Sequence, residues 1–163
     1  MKAKTETKQP DIPWYYKGQL MLSEAIPEGS VGYCYYIVHL PTKKGYIGRK
    51  LLTSTTRKRI GVREKAATRT RKTFKVTVKE SNWLQYNSSC KPLQLAVKEN
   101  PGEFRKNILE FAHSKKHLHY LELKYMFHFN ILEIDSWNDN IGGTIYRRDL
   151  IKPEPKTKDN DSK

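Results

Sequence analysis

The chain has 163 residues, with 31 Lys plus Arg against 17 Asp plus Glu and a formal net charge of +14. That length suits one domain with short appendages and disfavours two sizeable cores. The charge excess points to a polyanionic partner. No run approaches the roughly 18–20 consecutive apolar residues of a membrane span, and residues 1–10 lack the apolar centre of a secretory signal. Two cysteines, Cys34 and Cys90, are too few for a disulfide framework or a four-cysteine zinc site. Both read as reduced thiols in a cytoplasm, with Cys34 a small core residue.

Residues 1–13 and 151–163 are polar, charged and proline-containing, which predicts flexible tails around a folded unit over residues 14–150. Trp14, Tyr15 and Tyr16 open that unit and are expected to pack its edge. Residues 33–40 (YCYYIVHL) and 46–50 (YIGRK) are rich in aromatic and β-branched side chains and are joined by PTKKG, which predicts a β-hairpin. Residues 53–73 lose apolar periodicity and read as a loop or a loosely packed helix. FKVTV at 74–78 alternates as a half-buried strand does, and residues 92–100 space Leu93, Ala96 and Val97 as a helix. Pro101 and Gly102 stop that helix. Residues 104–112 suit a central strand or a short helix. From Lys115 to about 133, Leu118, Leu121, Tyr125, Phe129 and Leu132 share one helical face. The order predicts an α+β domain: a small mixed or antiparallel sheet, a hairpin bearing two tyrosines, and flanking helices.

Between Arg49 and Lys79 stand twelve basic residues and a single acidic one, Glu64, so twelve less one leaves +11 in about a fifth of the chain. Such concentration suits a phosphate footprint better than mere solubility. Threonines are interleaved and aromatics are few, which favours duplex-backbone contact over single-strand stacking. The DNA-contact candidates are Arg49, Lys50, Lys58, Arg59, Arg63, Arg69, Arg71 and Lys72.

Tyr33-Cys34-Tyr35 followed by Ile37, then Tyr46-Ile47-Gly48, resembles the paired motif of the GIY-YIG nuclease superfamily, with Tyr-Cys in place of the first Gly-Ile. The basic stretch after it, Trp83 to Tyr86, and Tyr120-Leu121-Glu122 resemble a phage homing-endonuclease-like (Seg-like) branch over residues 31–148. Asn87 stands where such relatives commonly have a glycine before the serines. The resemblance implies a metal-dependent DNA endonuclease, acting on double-stranded DNA in the cytoplasm, of a bacterial host if the source is a phage. Tyr35 is then the general-base candidate and Tyr46 the residue that positions water or phosphate, or the two exchange roles. A phenol serves as a base only where cations favour the phenolate, and Arg49, Lys50 and Arg57 are near in sequence. The superfamily's arginine carries over to Arg57, with Arg59 its competitor, and its late asparagine to Asn138, with Asn140 the alternative; either asparagine otherwise caps the turn before Gly142 and Gly143.

Glu122 lies on the apolar face of the long helix, where a carboxylate needs a partner. It reads either as the single carboxylate ligand of Mg²⁺ (or Mn²⁺), a cation that keeps most of its waters, or as a core-edge glutamate paired with a lysine or arginine. His113, His117 and His119 have no further ligand and read as capping, phosphate-contacting or solvent-facing groups rather than a zinc site. Trp83 and Tyr86 read as packing residues. A non-catalytic nucleic-acid-binding module would need the charge but has no use for Glu122 on an apolar face, so the enzyme is the preferred reading.

Overall fold

A computed structural model describes residues 12–69 and 71–151, so the expected tails fall largely outside the described residues. Ile12, assigned by sequence to the first tail, is instead buried in the core. In chain order the elements are β1 (Trp14–Tyr16), β2 (Gln19–Leu20), β3 (Gly32–His39), β4 (Gly45–Leu51), β5 (Thr53–Arg59), α1 (Val62–Thr68), β6 (Phe74–Glu80), α2 (Lys91–Glu99), β7 (Phe104–Ala112), α3 (Lys115–His128), β8 (Asn140–Ile141) and β9 (Ile145–Tyr146). Five strands form one sheet in the order β2-β1-β7-β3-β4. β1 runs parallel to β7 and the other neighbours are antiparallel, so the domain is α+β with a mixed sheet.

Side-chain alternation along β3 divides the interior into two cores. Tyr33, Tyr35 and Ile37 face a layer made by Trp14, Trp83 and the α2 residues Leu93 and Val97. Cys34 faces the opposite way, onto Leu118, Leu121 and Met126 of α3. Its thiol is pushed up to about 12, by burial first and by Glu122 next, which fits an inert core residue. β7 takes the central place because both its faces are covered, and this settles residues 104–112 as strand. A bulge opposite Cys34 and Tyr35 shifts the β3–β7 register beside the tyrosine motif.

α3 starts at Ser114, whose hydroxyl accepts from the His117 N–H at 3.0 Å. It stops at His128, short of the periodic pattern, and Asn130 then turns the chain with φ +48°. Leu132 therefore reaches the α3 core from the following turn. The larger departure is the basic segment. Residues 53–73 hold β5 and α1, and β6 pairs with β5 in a separate two-stranded ribbon. The alternation in FKVTV is real, but Val76 and Val78 are 58% and 60% exposed because no layer covers that side.

Beneath the tyrosine layer, β7 buries a lysine. The Lys106 ammonium lies 4.5 Å from the Trp14 ring centroid and donates to the carbonyls of Leu84 and Tyr86 and to Asn87 Oδ1 at 3.1–3.3 Å. It thereby ties the loop after β6 to the sheet. Lys106→Met keeps the length but leaves those acceptors without their donor. We expect it to lower the unfolding free energy in urea by roughly 2–3 kcal/mol; unchanged stability would show that the cation is dispensable.

Candidate active site

β4 ends the sheet, so one of its edges has no neighbouring strand among the described residues. The register sets Tyr46 opposite Ile37 and Gly48 opposite Tyr35, which puts Tyr46, Gly48 and Lys50 on the Tyr35 face. Ile47, Arg49 and Leu51 turn the other way, toward α3. A cavity of about 360 Å³ opens at this edge and is lined from both faces: by Tyr46, Cys90 and Trp137, and by Arg49, His119 and Glu122.

The free edge is closed by the segment after α3. The Trp137 N–H donates to the Gly45 carbonyl at 2.9 Å. The Asn138 amide takes the place of a strand: its Oδ1 accepts from the Ile47 N–H and its Nδ2 donates to the Ile47 carbonyl, both at 2.9 Å. Arg147, which the sequence does not flag, holds this segment by donating to the carbonyls of Ile131, Leu132, Ile134 and Asn138 and to Ser136 Oγ at 2.7–3.2 Å. Asn140 has the other role open to it, accepting from the Gly143 N–H in the turn.

Tyr35 is 1% exposed, with the rings of Trp14, Tyr86 and Tyr46 at 5.3, 6.0 and 6.2 Å. Burial above all, then Tyr86, holds its pKa well above the ordinary phenol value. Tyr46 is half-buried and reaches the cavity. Burial also raises it, against the opposing pull of hydrogen bonds with Ser89 and Ser88. Both findings correct the expectation that Arg49, Lys50 and Arg57 favour a phenolate at Tyr35 and Tyr46. Arg49 is on the far face, while the Lys50 ammonium packs 4.0 Å from the Tyr86 centroid and donates to Asn82 Oδ1 at 2.8 Å. Tyr86 is thus part of the tyrosine cluster and more than packing. Gly48 is required between the two tyrosines, since a Cβ there would lie 2.5 Å from Tyr35 Oη and 2.8 Å from Tyr46 Cε1. In the 87–89 turn the left-handed residue is Ser88, at φ +86°, and Asn87 is held by Lys106.

Glu122 is paired: Arg49 Nε stands 3.1 Å and His119 Nδ1 3.6 Å from its Oε2. Burial raises its carboxyl pKa, while Arg49 and His119 act to lower it. Of the two sequence readings, the ion pair is the one the geometry displays. No group of three or more His, Cys, Asp or Glu side chains suited to a metal occurs among the described residues. One half-buried carboxylate at a cavity fits a hydrated Mg²⁺, which needs few protein ligands, and does not fit a closed zinc or calcium cage. The histidines are divided: the rings of His113 and His117 pack at 4.2 Å, and His119 joins the cavity.

Arg57 is not brought to this cavity. β5 carries it out onto the ribbon, where its guanidinium lies 3.9 Å from the Phe74 centroid. Arg59 sits on the same exposed strand, and Lys58, Arg63, Arg69, Arg71 and Lys72 belong to the ribbon and the α1 connection. Arg49 is the arginine that the fold sets beside Glu122. The signal was present in YIGRK, because a residue three places after Tyr46 on one strand must face away from it.

A family model described as putative endonuclease segE, GIY-YIG domain, matches residues 14–142. Neither a curated protein nor a solved structure gives a significant match. Asn138→Ala would strip both hydrogen-bond partners from Ile47. We expect a loss of roughly 1–3 kcal/mol in stability and faster amide exchange at Ile47; protection equal to wild type would mean that the edge is held by other groups.

Proposed function

We propose that this chain, which belongs to the GIY-YIG domain family of segE-type putative endonucleases, is a metal-dependent endonuclease hydrolysing phosphodiester bonds in double-stranded DNA. The observation that carries the reading is the cavity at the β4 edge, where Tyr46 arrives from one face of the sheet and the Arg49–Glu122 pair from the other. A phage homing-type role, in the cytoplasm of a bacterial host, is the setting that the family resemblance suggests.

Glu122 would hold a hydrated Mg²⁺ or Mn²⁺, which supplies positive charge to the scissile phosphate and its leaving oxygen. Arg49, next to Glu122, adds a fixed guanidinium for the charge that develops on the phosphoryl oxygens. Tyr46 is the tyrosine that meets the attacking water and takes its proton as the new P–O bond forms and the bond to the sugar oxygen breaks. Tyr35 is a positioning residue, because it is buried in the aromatic layer and its ring packs against Tyr46. Asn138 acts through the backbone of Ile47, between Tyr46 and Gly48.

Supercoiled plasmid incubated with Mg²⁺ should be nicked or linearised, and EDTA should stop it. Glu122→Gln should lower the rate by roughly 100- to 1,000-fold with DNA binding retained, whereas full activity in that variant would remove Glu122 from the mechanism.

The pH profile follows from the raised carboxyl and phenol. A protonated Glu122 binds no cation, so cleavage should fall on acidification at a higher pH than for an exposed glutamate. Arg49→Ala removes a group that lowers the Glu122 pKa and should move this acid limb further up. With Tyr46 raised above its ordinary value, the rate should keep climbing by roughly tenfold per pH unit through about pH 8–9. A plateau near neutrality would instead remove Tyr46 as the proton acceptor.

A further inference from the structure

The ribbon of β5 and β6 has two unlike faces, and the register decides which residue lies on which. Ser54 stands opposite Lys79, Thr56 opposite Thr77, and Lys58 opposite Lys75, so one face is made wholly of lysines and hydroxyls. The other face sets Thr55, Arg57 and Arg59 against Val78, Val76 and Phe74, and ends on the carboxylate of Glu80. Both strands are exposed along nearly their whole length, and no layer among the described residues covers either face.

Lys58 and Lys75 are like charges directly opposed on paired strands, an arrangement that weakens a ribbon unless an anion lies across it. Neither they nor Lys79 meet a carboxylate among the described residues. Lysine with Ser and Thr hydroxyls is the donor set that proteins turn to phosphate oxygens, and a face without apolar or acidic groups has little to offer a protein partner. Seven residues at about 3.3 Å each make the ribbon roughly 23 Å long, a length of duplex axis along which each strand passes about seven phosphates.

The face also leads to the cavity. One residue separates β4 from β5, and a cleft of about 570 Å³ at the ribbon's root is lined by Arg49, Lys50, Ser54, Thr55, Ser81 and Lys115. Ser54 belongs to both the face and the cleft, and Arg49 to both the cleft and the Glu122 cavity.

We propose that the Lys58, Lys75 and Lys79 face of the ribbon is a duplex-DNA backbone site, which lays a phosphate strand along the ribbon and through the root cleft toward Glu122. This rests on the endonuclease reading and deepens it. The arm contributes sequence-independent, salt-sensitive affinity, and the strand's path past Arg49 fixes which phosphate reaches the cavity.

The test is the salt dependence of binding to a duplex oligonucleotide in EDTA, measured on the Glu122→Gln chain with and without Lys58→Gln, Lys75→Gln and Lys79→Gln. The triple change should reduce the slope of log affinity against log salt by roughly 2.7, about 0.9 per lysine. The same number of charges removed at Lys17, Lys43 and Lys98 should leave the slope as it was. Lys79→Gln alone, at the root, should take off roughly 0.9 and guards against disturbed pairing at the tip. An unchanged slope in both ribbon variants, with the unmutated chain still cutting plasmid, overturns the face and leaves the nuclease standing. A larger loss of affinity from Val76→Thr with Val78→Thr than from the lysine changes assigns DNA to the opposite face and overturns the proposal. A chain that neither binds duplex DNA nor cuts it contradicts both readings.

Discussion

A strand at the end of a sheet has one row of backbone donors and acceptors without a neighbour, while its side chains still alternate between the two faces. β4 turns this into a site. Tyr46 packs against one core and Glu122 stands on α3 on the opposite side of the sheet, and both line the cavity at the unpaired edge. The proposed reaction needs the edge open to substrate near Tyr46 and Arg49, yet closed at Ile47 against unwanted pairing. The Asn138 amide meets both demands, because it satisfies the Ile47 backbone with one side chain and continues no ladder. Arg147 and Trp137 are the supports of that arrangement, and Gly48 makes the room in which the two tyrosines stack.

The tyrosine side is a packed aromatic layer. Trp14 donates through Nε1 to the Trp83 carbonyl at 2.9 Å, and Tyr33 donates to the same oxygen at 3.2 Å. Trp83 in turn donates to Glu80 at the root of the ribbon, so the layer, the ribbon and the Tyr86 loop are fixed to one another. The burial that gives Tyr35 its firm position also raises its pKa and keeps it from the water. A tyrosine that is half-buried at the cavity, with serine hydroxyls beside it, is better placed for proton transfer than one sealed in the core.

Much of this was legible in the sequence. The hairpin and the α2 and α3 helices follow from periodicity and from Pro and Gly stops, residues 104–112 stay open between strand and short helix, and Glu122 stands out as a carboxylate at an apolar helical position. The tyrosine motif was visible as a spacing. Hidden were features that depend on tertiary pairing. β1 pairs in parallel with a strand some ninety residues further on, which local pattern does not encode. Lys106 occupies an inward position of β7, where the charge becomes intelligible only once the Leu84 and Tyr86 carbonyls are placed above it. Arg57 carried over from the family resemblance with Arg59 as its competitor, because a basic run without apolar periodicity sets no register, whereas strand alternation from Tyr46 assigns Arg49 to the α3 side. FKVTV has the pattern of a half-buried strand, and the missing second layer is a fact about the fold that five residues cannot carry.

The central claim is that Tyr46 and Glu122, from opposite faces of the sheet, serve one reaction at one place. The direct measurement is a double-mutant cycle on Mg²⁺-dependent plasmid cleavage with Tyr46→Phe, Glu122→Gln and both together. If the two groups act as a unit at the β4 edge, the double variant should be little worse than the poorer single variant, because losing either already disables the shared step. Losses that simply multiply would show independent contributions and contradict a single edge-centred site, as would a wild-type chain that binds duplex DNA and leaves it uncut.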